Sequence, residues 1–407
     1  MRARRTGLVA LLCLVLSLPA ASAPHRRAPT PTAPPGPTAP PSTLLVEVST
    51  GQILEQSDAH RRVPPASLDK LMTFYLALVA VRERRISLDT PVTVSAEAWH
   101  IGRTPGSSRM FLNVGDVVTV RDLLGGLMVA SGNDAAEALA EAVGGSGPQF
   151  VDTMNATAAK LGLRDTHYAT PHGLPSPGEY TSAWDVALLS RQILVEFPDS
   201  VDITREHYET YARIRQANWN NLVFRDPRVD GLKTGHTDEA GFSIAATAAD
   251  RGMRLVAVVV GAPTLQRRTE LTEGLFGEGF SQYALVPVPW QQYVPASVAV
   301  YGGSAPSVGL ETAAPVAVLL RRNTHPTLTI AEVIAAPPLA PLARAQTVGT
   351  LTVDLNGHRV AEAPLLAATP VERAPLLARA WGYVQHTAVR VFHRGPATFH
   401  GTYVPAE

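Results

Sequence analysis

The chain has 407 residues, of which 45% are hydrophobic and 17% are charged, with 35 Lys and Arg balanced by 35 Asp and Glu. Such proportions are typical of a globular protein, and at about 150 residues per domain the length predicts two or three domains. The charge balance gives no indication of a nucleic-acid partner.

The first 23 residues have the three parts of a secretory signal peptide. A basic start precedes an apolar run from Leu8 to Leu18, and the small residues Ala21 and Ala23 follow. A retained membrane helix is the alternative, but the run is shorter than the roughly 20 residues that a span needs. The only cysteine, Cys13, lies in this run, so the mature chain has no disulfides, thiol catalysis or cysteine-based zinc sites. We therefore expect an exported protein.

Residues 24–43 are too rich in Pro to form a helix or a sheet, and they are interpreted as an extended linker. Residues 44–282 then predict an α/β or α+β domain. An opening hairpin begins at Leu44, helical patterns begin at Ser67, Val120 and Phe150, and the strand patterns FSIAATAAD and MRLVAVVVGAP close the domain. With strands at both ends, one sheet is expected to hold both ends of the domain.

Residues 283–370 predict a small β domain, because short strand patterns such as SVAVY, PVAVLL and GTLTVDL follow the prolines near residue 287. Asn356 and Gly357 separate two of these patterns and predict a hairpin turn. Residues 371–407 are expected to form an amphipathic membrane-anchor helix and a tail.

The segment PASLDK places Ser67 and Lys70 three residues apart at the start of a helix, on one face. The pair alone is weak evidence, since Ser67 could simply be a helix N-cap. Two further motifs change this interpretation. ASGND supplies Ser131 and Asn133, and KTGHT supplies Lys233. Together, in this order, the motifs predict a serine nucleophile that a lysine activates.

Each residue type has a chemical reason. A serine hydroxyl needs a base, and Lys70 can act as that base if burial and a second cation, Lys233, lower its pKa toward about 7 or 8. Ser131 is expected between the two lysines as a proton shuttle. Asn133 is expected to hold Lys70 and a substrate amide.

The strand KTGHT is expected to receive the substrate backbone. Gly235 lies on the same face as Lys233 and would leave that face open. The backbone N–H groups of Ser67 and His236 are the expected oxyanion donors, so the His236 imidazole is treated as incidental.

These motifs resemble those of the low-molecular-weight penicillin-binding proteins that act as D-alanyl-D-alanine carboxypeptidases. The resemblance runs from about Leu44 to Arg394 and includes GSSRMFLNVGD, TPHGLPSPGEYTSAWDVALL and VDGLKTGHTDEAGFSIAATA. It implies a five-stranded antiparallel sheet flanked by helices. It also implies removal of the terminal D-alanine from a peptidoglycan stem peptide through an acyl-enzyme, binding of β-lactam antibiotics, and no metal or organic cofactor.

The resemblance further implies that the terminal carboxylate is bound by Lys233, Thr234 and Arg268, although Arg267 is adjacent and Arg268 could instead be a solvated helix arginine. One departure is Asp69, where relatives carry a small polar residue. Its side chain should point away from Ser67, but its acid could raise the pKa of Lys70. No motif identifies a carboxylate that would activate the deacylating water.

The C-terminal region predicts a basic amphipathic helix. The apolar residues of one face are Leu377, Trp381, Val384, Ala388 and Val391, and the basic residues of the other are Arg379, His386, Arg390 and Arg394. This pattern favours peripheral binding to the periplasmic side of the inner membrane. A helix packed on its own domain is the alternative, and Gly382 weakens the helix slightly.

Three rival functions remain at this point. A D-alanyl endopeptidase or a β-lactamase would use the same motifs, although a simple β-lactamase usually ends after its catalytic sheet. A non-catalytic cell-wall scaffold would not need an intact set of nucleophile and base.

Overall fold

The computed structural model describes residues 39–334, 336–392 and 397–405. The predicted signal peptide and residues 24–38 of the linker lie outside the described residues. The first strand begins at Ser42, two residues before the predicted start of the domain at Leu44.

The first part of the chain, up to residue 282, is an α+β domain, as predicted. Its strands are β1 (Ser42–Glu47), β2 (Ile53–Ser57), β3 (Pro91–Thr93), β4 (Val117–Thr119), β5 (Tyr208–Tyr211), β6 (Ile214–Ala217), β7 (Val229–Thr237), β8 (Gly241–Asp250) and β9 (Met253–Ala262). Its helices are α1 (Lys70–Arg82), α2 (Ala96–Arg103), α3 (Val120–Met128), α4 (Asn133–Gly144), α5 (Gly147–Leu161), α6 (Ala183–Glu196), α7 (Val201–Thr204) and α8 (Leu265–Gln282).

The main sheet has the strand order β2-β1-β9-β8-β7, and all of its neighbours are antiparallel. The predicted five-stranded sheet, with strands from both ends of the domain, is therefore confirmed. Both faces are buried, so successive residues of β9 enter different cores: Val256 and Val258 face α1 and α6, whereas Leu255 and Ala257 face α8. Burial on both sides explains why β9 is a continuous apolar run instead of an alternating pattern.

The long helical pattern that begins at Val120 forms two helices, not one. α3 ends at Met128 and α4 begins at Asn133. Between them Ser131 has a positive φ of 59°, which a helix interior does not allow. The apolar spacing continues across this break because both helices pack on the same core, so periodicity alone does not reveal it.

The second part of the chain is a β structure with its own core around Trp290, Ile330 and Val353. Its elements are β10 (Tyr283–Pro287), β11 (Ser297–Ala299), β12 (Ser307–Glu311), β13 (Ala317–Arg321), β14 (Leu328–Ile334), β15 (Thr347–Leu355), β16 (His358–Ala367), α9 (Leu376–Phe392) and β17 (Ala397–Tyr403). The predicted hairpin at Asn356 and Gly357 joins β15 to β16, with positive φ at both residues.

The chain does not end in a helix and tail. After α9 it returns as β17, which pairs with β14 at the edge of a six-stranded sheet with the order β11-β12-β16-β15-β14-β17. The sequence ATFHGTY gives only a short, weak strand signal, and the prediction of a tail over these residues was wrong. No helix in the described parts of the chain combines the length and apolarity of a membrane span.

Candidate active site

Ser67 lies in a 3₁₀ turn, Ala66–Asp69, that leads directly into α1. Ser67 is half-buried, so its hydroxyl can be reached from outside. The turn begins with an unusual backbone, since Ala66 has a φ of 49°. This geometry and the open side chain separate Ser67 from an ordinary helix N-cap, and no side-chain cap bond is formed at this helix start.

Lys70 is fully buried and uses all three of its donors. Its Nζ lies 2.9 Å from Ser67 Oγ, 2.5 Å from Asn133 Oδ1 and 2.6 Å from the carbonyl oxygen of His172. Burial lowers the pKa of Lys70 to about 7, although the charges of nearby carboxylates oppose the shift. The lysine thus has both the contact and the pKa that a base for Ser67 needs.

A second buried lysine, Lys233 of β7, donates to Ser131 Oγ at 2.9 Å and to the carbonyl oxygen of Thr234 at 2.9 Å. Its pKa is lowered well below the usual range by burial first, and then by the charges of Lys70 and Arg268. The sequence predicts that burial and Lys233 together lower the pKa of Lys70, and in the structure burial is the main cause.

Ser131 and Asn133 differ in how closely they match their predicted contacts. Ser131 bonds to Lys233, and Lys70 has its bonds elsewhere, so the expected bridge between the lysines is present on one side only. Asn133 holds Lys70 as predicted, and its Nδ2 donates to Ser107 Oγ at 2.7 Å. Ser107 lies in the stretch GSSRMFLNVGD, which is similar to the family, but the sequence predicts no role for it.

Gly235 is predicted to leave space for the substrate backbone, whereas in the structure its neighbour is the turn that carries Ser67. A Cβ at this position would lie 3.2 Å from the backbone nitrogen of Ser67 and 3.2 Å from the carbonyl oxygen of Pro65. The glycine therefore lets β7 approach the nucleophile turn closely. Thr234 is buried beside Lys233, while the exposed His236 ring lies against Phe242 with 4.0 Å between centroids. The imidazole is thus directed away from the lysines, in keeping with a main-chain role for His236.

Arg268 is 3% exposed, which rules out a solvated surface arginine. The only hydrogen bond of its guanidinium among the described residues is donated to Asn221 Oδ1 at 3.3 Å, and its buried Nε has no partner there. Burial lowers its pKa to about 10, so it stays charged at neutral pH. Arg267, by contrast, is exposed and pairs with Glu270. A buried guanidinium without a carboxylate partner is suited to an incoming anion.

Sequence reasoning missed the role of the segment around His172. The His172 carbonyl binds Lys70, and its buried imidazole accepts from the backbone N–H of Leu174, so burial and the charge of Lys70 lower its pKa to about 3. Gly173 has a φ of 76°, and a Cβ there would lie 1.8 Å from the carbonyl oxygen of Ala66. The dipeptide His172-Gly173 was the sequence signal that could have revealed this role, because only glycine at residue 173 allows the segment to pack against the turn that carries Ser67.

Asp69, the departure noted in the sequence, lies in a buried environment. It is 1% exposed, and its pKa is raised well above the usual range by burial and then by the nearby Glu179. If ionised, its charge would raise the pKa of Lys70.

Comparisons with known proteins agree with this geometry. A family model described as D-alanyl-D-alanine carboxypeptidase matches residues 29–264, and one described as penicillin-binding protein 5, C-terminal domain, matches residues 290–373. The chain is 38% identical to D-alanyl-D-alanine carboxypeptidase DacD of Salmonella typhimurium over 349 residues, which is 85% of this chain and 90% of the relative.

Two solved structures are also similar. Penicillin binding protein 5 from Haemophilus influenzae has a TM-score of 0.69 and 34% identity, covering 84% of this chain and 99% of its own. Penicillin-Binding Protein D2 from Listeria monocytogenes, in its cefotaxime-bound form, has a TM-score of 0.54 and 31% identity, covering 59% of this chain and 96% of its own.

Proposed function

Because the chain belongs to the D-alanyl-D-alanine carboxypeptidase family, we propose that it removes the terminal D-alanine from peptidoglycan stem peptides through an acyl-enzyme on Ser67. The observation that carries the proposal is the 2.9 Å contact between Ser67 Oγ and the Nζ of a fully buried Lys70. No other described serine combines such a contact with an accessible hydroxyl.

In the proposed acylation, Ser67 Oγ attacks the carbonyl of the penultimate D-alanine while its proton passes to neutral Lys70. The oxyanion is held by the backbone N–H groups of Ser67 and His236, and Gly235 lets β7 approach the backbone nitrogen of Ser67 closely. The proton taken up by Lys70 passes through Ser131 to the leaving amine, so Ser131 gives up one proton and receives another, while Lys233 keeps it oriented at 2.9 Å. Water then hydrolyses the acyl-enzyme and frees Ser67.

Substrate selection at the C-terminus follows from charge. The free terminal carboxylate of the substrate, carried by the leaving D-alanine, would lie against Arg268, Lys233 and Thr234, all of which are buried. In a buried setting a charge-assisted bond to a planar guanidinium is strong and directional. A peptide without a free terminal carboxylate leaves Arg268 without a partner and should be a poor substrate.

The test is to incubate the purified protein and a Ser67→Ala variant with a pentapeptide ending in D-Ala-D-Ala and with a fluorescent penicillin. We expect D-alanine release and a stable label in the wild type, and neither in the variant. A wild type that releases no D-alanine and takes no label would overturn the proposal.

The same assay decides between the rivals. Rapid loss of the label with little D-alanine release would favour a β-lactamase, and cleavage of a cross-linked dimeric peptide without release from the monomer would favour an endopeptidase. The cefotaxime-bound relative supports the expectation that this chain binds β-lactams.

We also propose that the protein acts at the outer face of the inner membrane and that α9 binds the membrane surface. Its apolar residues are strongly exposed: Leu377 by 89%, Trp381 by 64% and Val384 by 57%. Gly382 and His386 lie on the other side of the helix, against Gly302 and the carbonyl oxygen of Pro337. His386 therefore packs on its own domain instead of joining a basic face.

The helix thus rests on its domain with one side and presents apolar residues with the other. The side chains of Arg390 and Val391, and the whole of Arg394, lie outside the described residues. Removal of everything after residue 371 would also remove β17 from its sheet, so point substitutions in α9 are the better test of membrane binding.

A further inference from the structure

Two buried carboxyl groups, Asp69 and Glu179, lie side by side behind Lys70. Asp69 directly precedes the lysine in the chain and is 1% exposed, while Glu179 is 6% exposed. After burial, the charge and the side-chain hydrogen bonding of Glu179 are the causes that raise the pKa of Asp69. The acylation chemistry described above uses neither of them.

The hydrogen bonding around the pair is unequal. Glu179 Oε1 accepts from the backbone N–H of Ala169 at 3.2 Å and from the N–H and hydroxyl of Thr170 at 3.0 and 3.1 Å. Asp69 Oδ2 is fully enclosed and has no donor among the described residues. Three donors stabilise an ionised Glu179, whereas an ionised Asp69 would be left with an unsatisfied buried oxygen.

A proton resolves this conflict. Two ionised carboxylates cannot remain in contact away from water, but a protonated carboxylic acid can donate to an ionised one. With the proton on Asp69, its hydroxyl donates to Glu179, and no enclosed oxygen of the pair lacks a partner. The same arrangement removes one negative charge from the immediate surroundings of Lys70.

We propose that Asp69 and Glu179 share a single proton, which keeps Asp69 neutral and thereby allows Lys70 to serve as a base at neutral pH. The proposal rests on the role of Lys70 proposed above. Both acids act through Lys70 and are therefore positioning residues. The raised pKa of Asp69 agrees with it, with burial as the main cause and the Glu179 charge as the next.

Other titratable groups lie near the pair or near Lys70 and stay the same in every variant of the test. Tyr168 and His172 come from the segment that also carries Glu179, and Asp134, Asp185 and Lys233 come from α4, α6 and β7. Glu179 also fixes the backbone of Thr170, whose Oγ1 accepts from Gly173 N–H at 2.8 Å. The pair therefore also supports the segment that presents the His172 carbonyl to Lys70.

Two isosteric variants test the shared proton through the pH dependence of acylation by a fluorescent penicillin. Asp69→Asn replaces a neutral donor with a neutral donor, so the rising limb of the profile should coincide with that of the wild type. Glu179→Gln keeps the acceptor for Thr170 but now donates to Asp69, which should ionise. The single negative charge then moves from Glu179 to Asp69, whose charge raises the pKa of Lys70 more strongly than that of Glu179 does. The limb should therefore move upward, by up to about 1 pH unit.

A limb that moves downward in Asp69→Asn would mean that Asp69 is charged in the wild type and would overturn the proposal. An unmoved limb in Glu179→Gln would overturn it too. If Glu179→Gln does not fold, a difference infrared spectrum of wild type minus Asp69→Asn at neutral pH decides. The band of a protonated carboxylic acid must be present in the wild type and absent in the variant.

The infrared result also separates this proposal from the proposed function. The shared proton is a property of the resting protein, so the infrared band does not depend on the role of Lys70. If Lys70→Ala retained full acylation, Lys70 would not be the base, but the band should still be present in the wild type. Loss of the band with normal Lys70-dependent acylation would overturn the shared proton alone.

Discussion

The active site and helix α9 depart from the usual distribution of residues in opposite ways. Around Ser67, charged side chains such as Lys70, Lys233 and Arg268 are almost completely buried, whereas in α9 the side chains of Leu377 and Trp381 are largely exposed. Buried charges and exposed apolar clusters both cost stability, so their presence indicates that a function requires them. The active site is therefore suited to a reaction away from water, and α9 is suited to contact with a surface outside the chain.

The largest effect is expected for the buried base. Among the residues that the structure describes, Lys70 is the only group in contact with Ser67 Oγ that can take its proton, so Lys70→Ala should lower acylation by a fluorescent penicillin about 10²- to 10⁴-fold. Exposed Lys160→Ala is the control and should not change the rate. Substantial acylation in Lys70→Ala would show that another group activates Ser67.

The next effect concerns Arg268. Arg268→Ala should lower kcat/KM for a peptide with a free D-alanine carboxylate by about 10- to 100-fold, the cost of losing a charged hydrogen bond. The variant should also discriminate less than the wild type between this peptide and its C-terminal amide. Arg267→Ala is the matched control, because that exposed neighbour pairs with Glu270. Equal losses in both variants would contradict the assignment.

A smaller effect is expected on the α9 side of the comparison. A Leu377→Ser, Val384→Ser variant should bind anionic phospholipid vesicles about tenfold more weakly, because the two apolar side chains, buried only in part at the membrane surface, together contribute roughly 1.4 kcal/mol. A Val114→Ser, Val117→Ser variant changes two exposed valines of the first domain and should bind as the wild type does. Unchanged binding of the α9 variant in sedimentation would argue against this surface.

The smallest effect concerns Glu332, a carboxyl group inside the β domain with both oxygens enclosed and unpartnered among the described residues. Burial raises its pKa to about 7. Folding therefore favours its neutral form, and the folded state should lose stability as pH rises from the ordinary pKa of glutamate, about 4.3, to about 7.

Glu332→Gln should flatten this part of the stability profile, and thermal unfolding at both ends of the range measures it. Exposed Glu362→Gln is the control and should leave the slope unchanged. An unaltered slope in Glu332→Gln would mean that Glu332 does not retain its proton in the folded β domain.

The sequence predicts the sheet, most helices and the residues that meet at Ser67, because motif spacing and strand patterns are local properties. Continuous apolar runs such as that of β9 predict a strand buried on both faces. The break between α3 and α4 could not be predicted, since it depends on the positive φ of Ser131 instead of on periodicity.

Contacts made by backbone atoms were also out of reach. The His172 carbonyl that binds Lys70 belongs to a segment about a hundred residues away, and a carbonyl has no residue-specific signal. The burial of Asp69 beside Glu179 likewise follows from tertiary packing. At the C-terminus, β17 was missed because its pairing with β14 supplies the stability that its own sequence lacks.

The central claim, that Ser67 is the nucleophile, is tested most directly by locating the covalent adduct. The full-length protein is labelled with a penicillin, digested, and mapped by mass spectrometry. We expect the penicilloyl group on the peptide containing Ser67, and no adduct in Ser67→Ala. An adduct on Ser131, or equal labelling of the Ser67→Ala variant, would contradict the account.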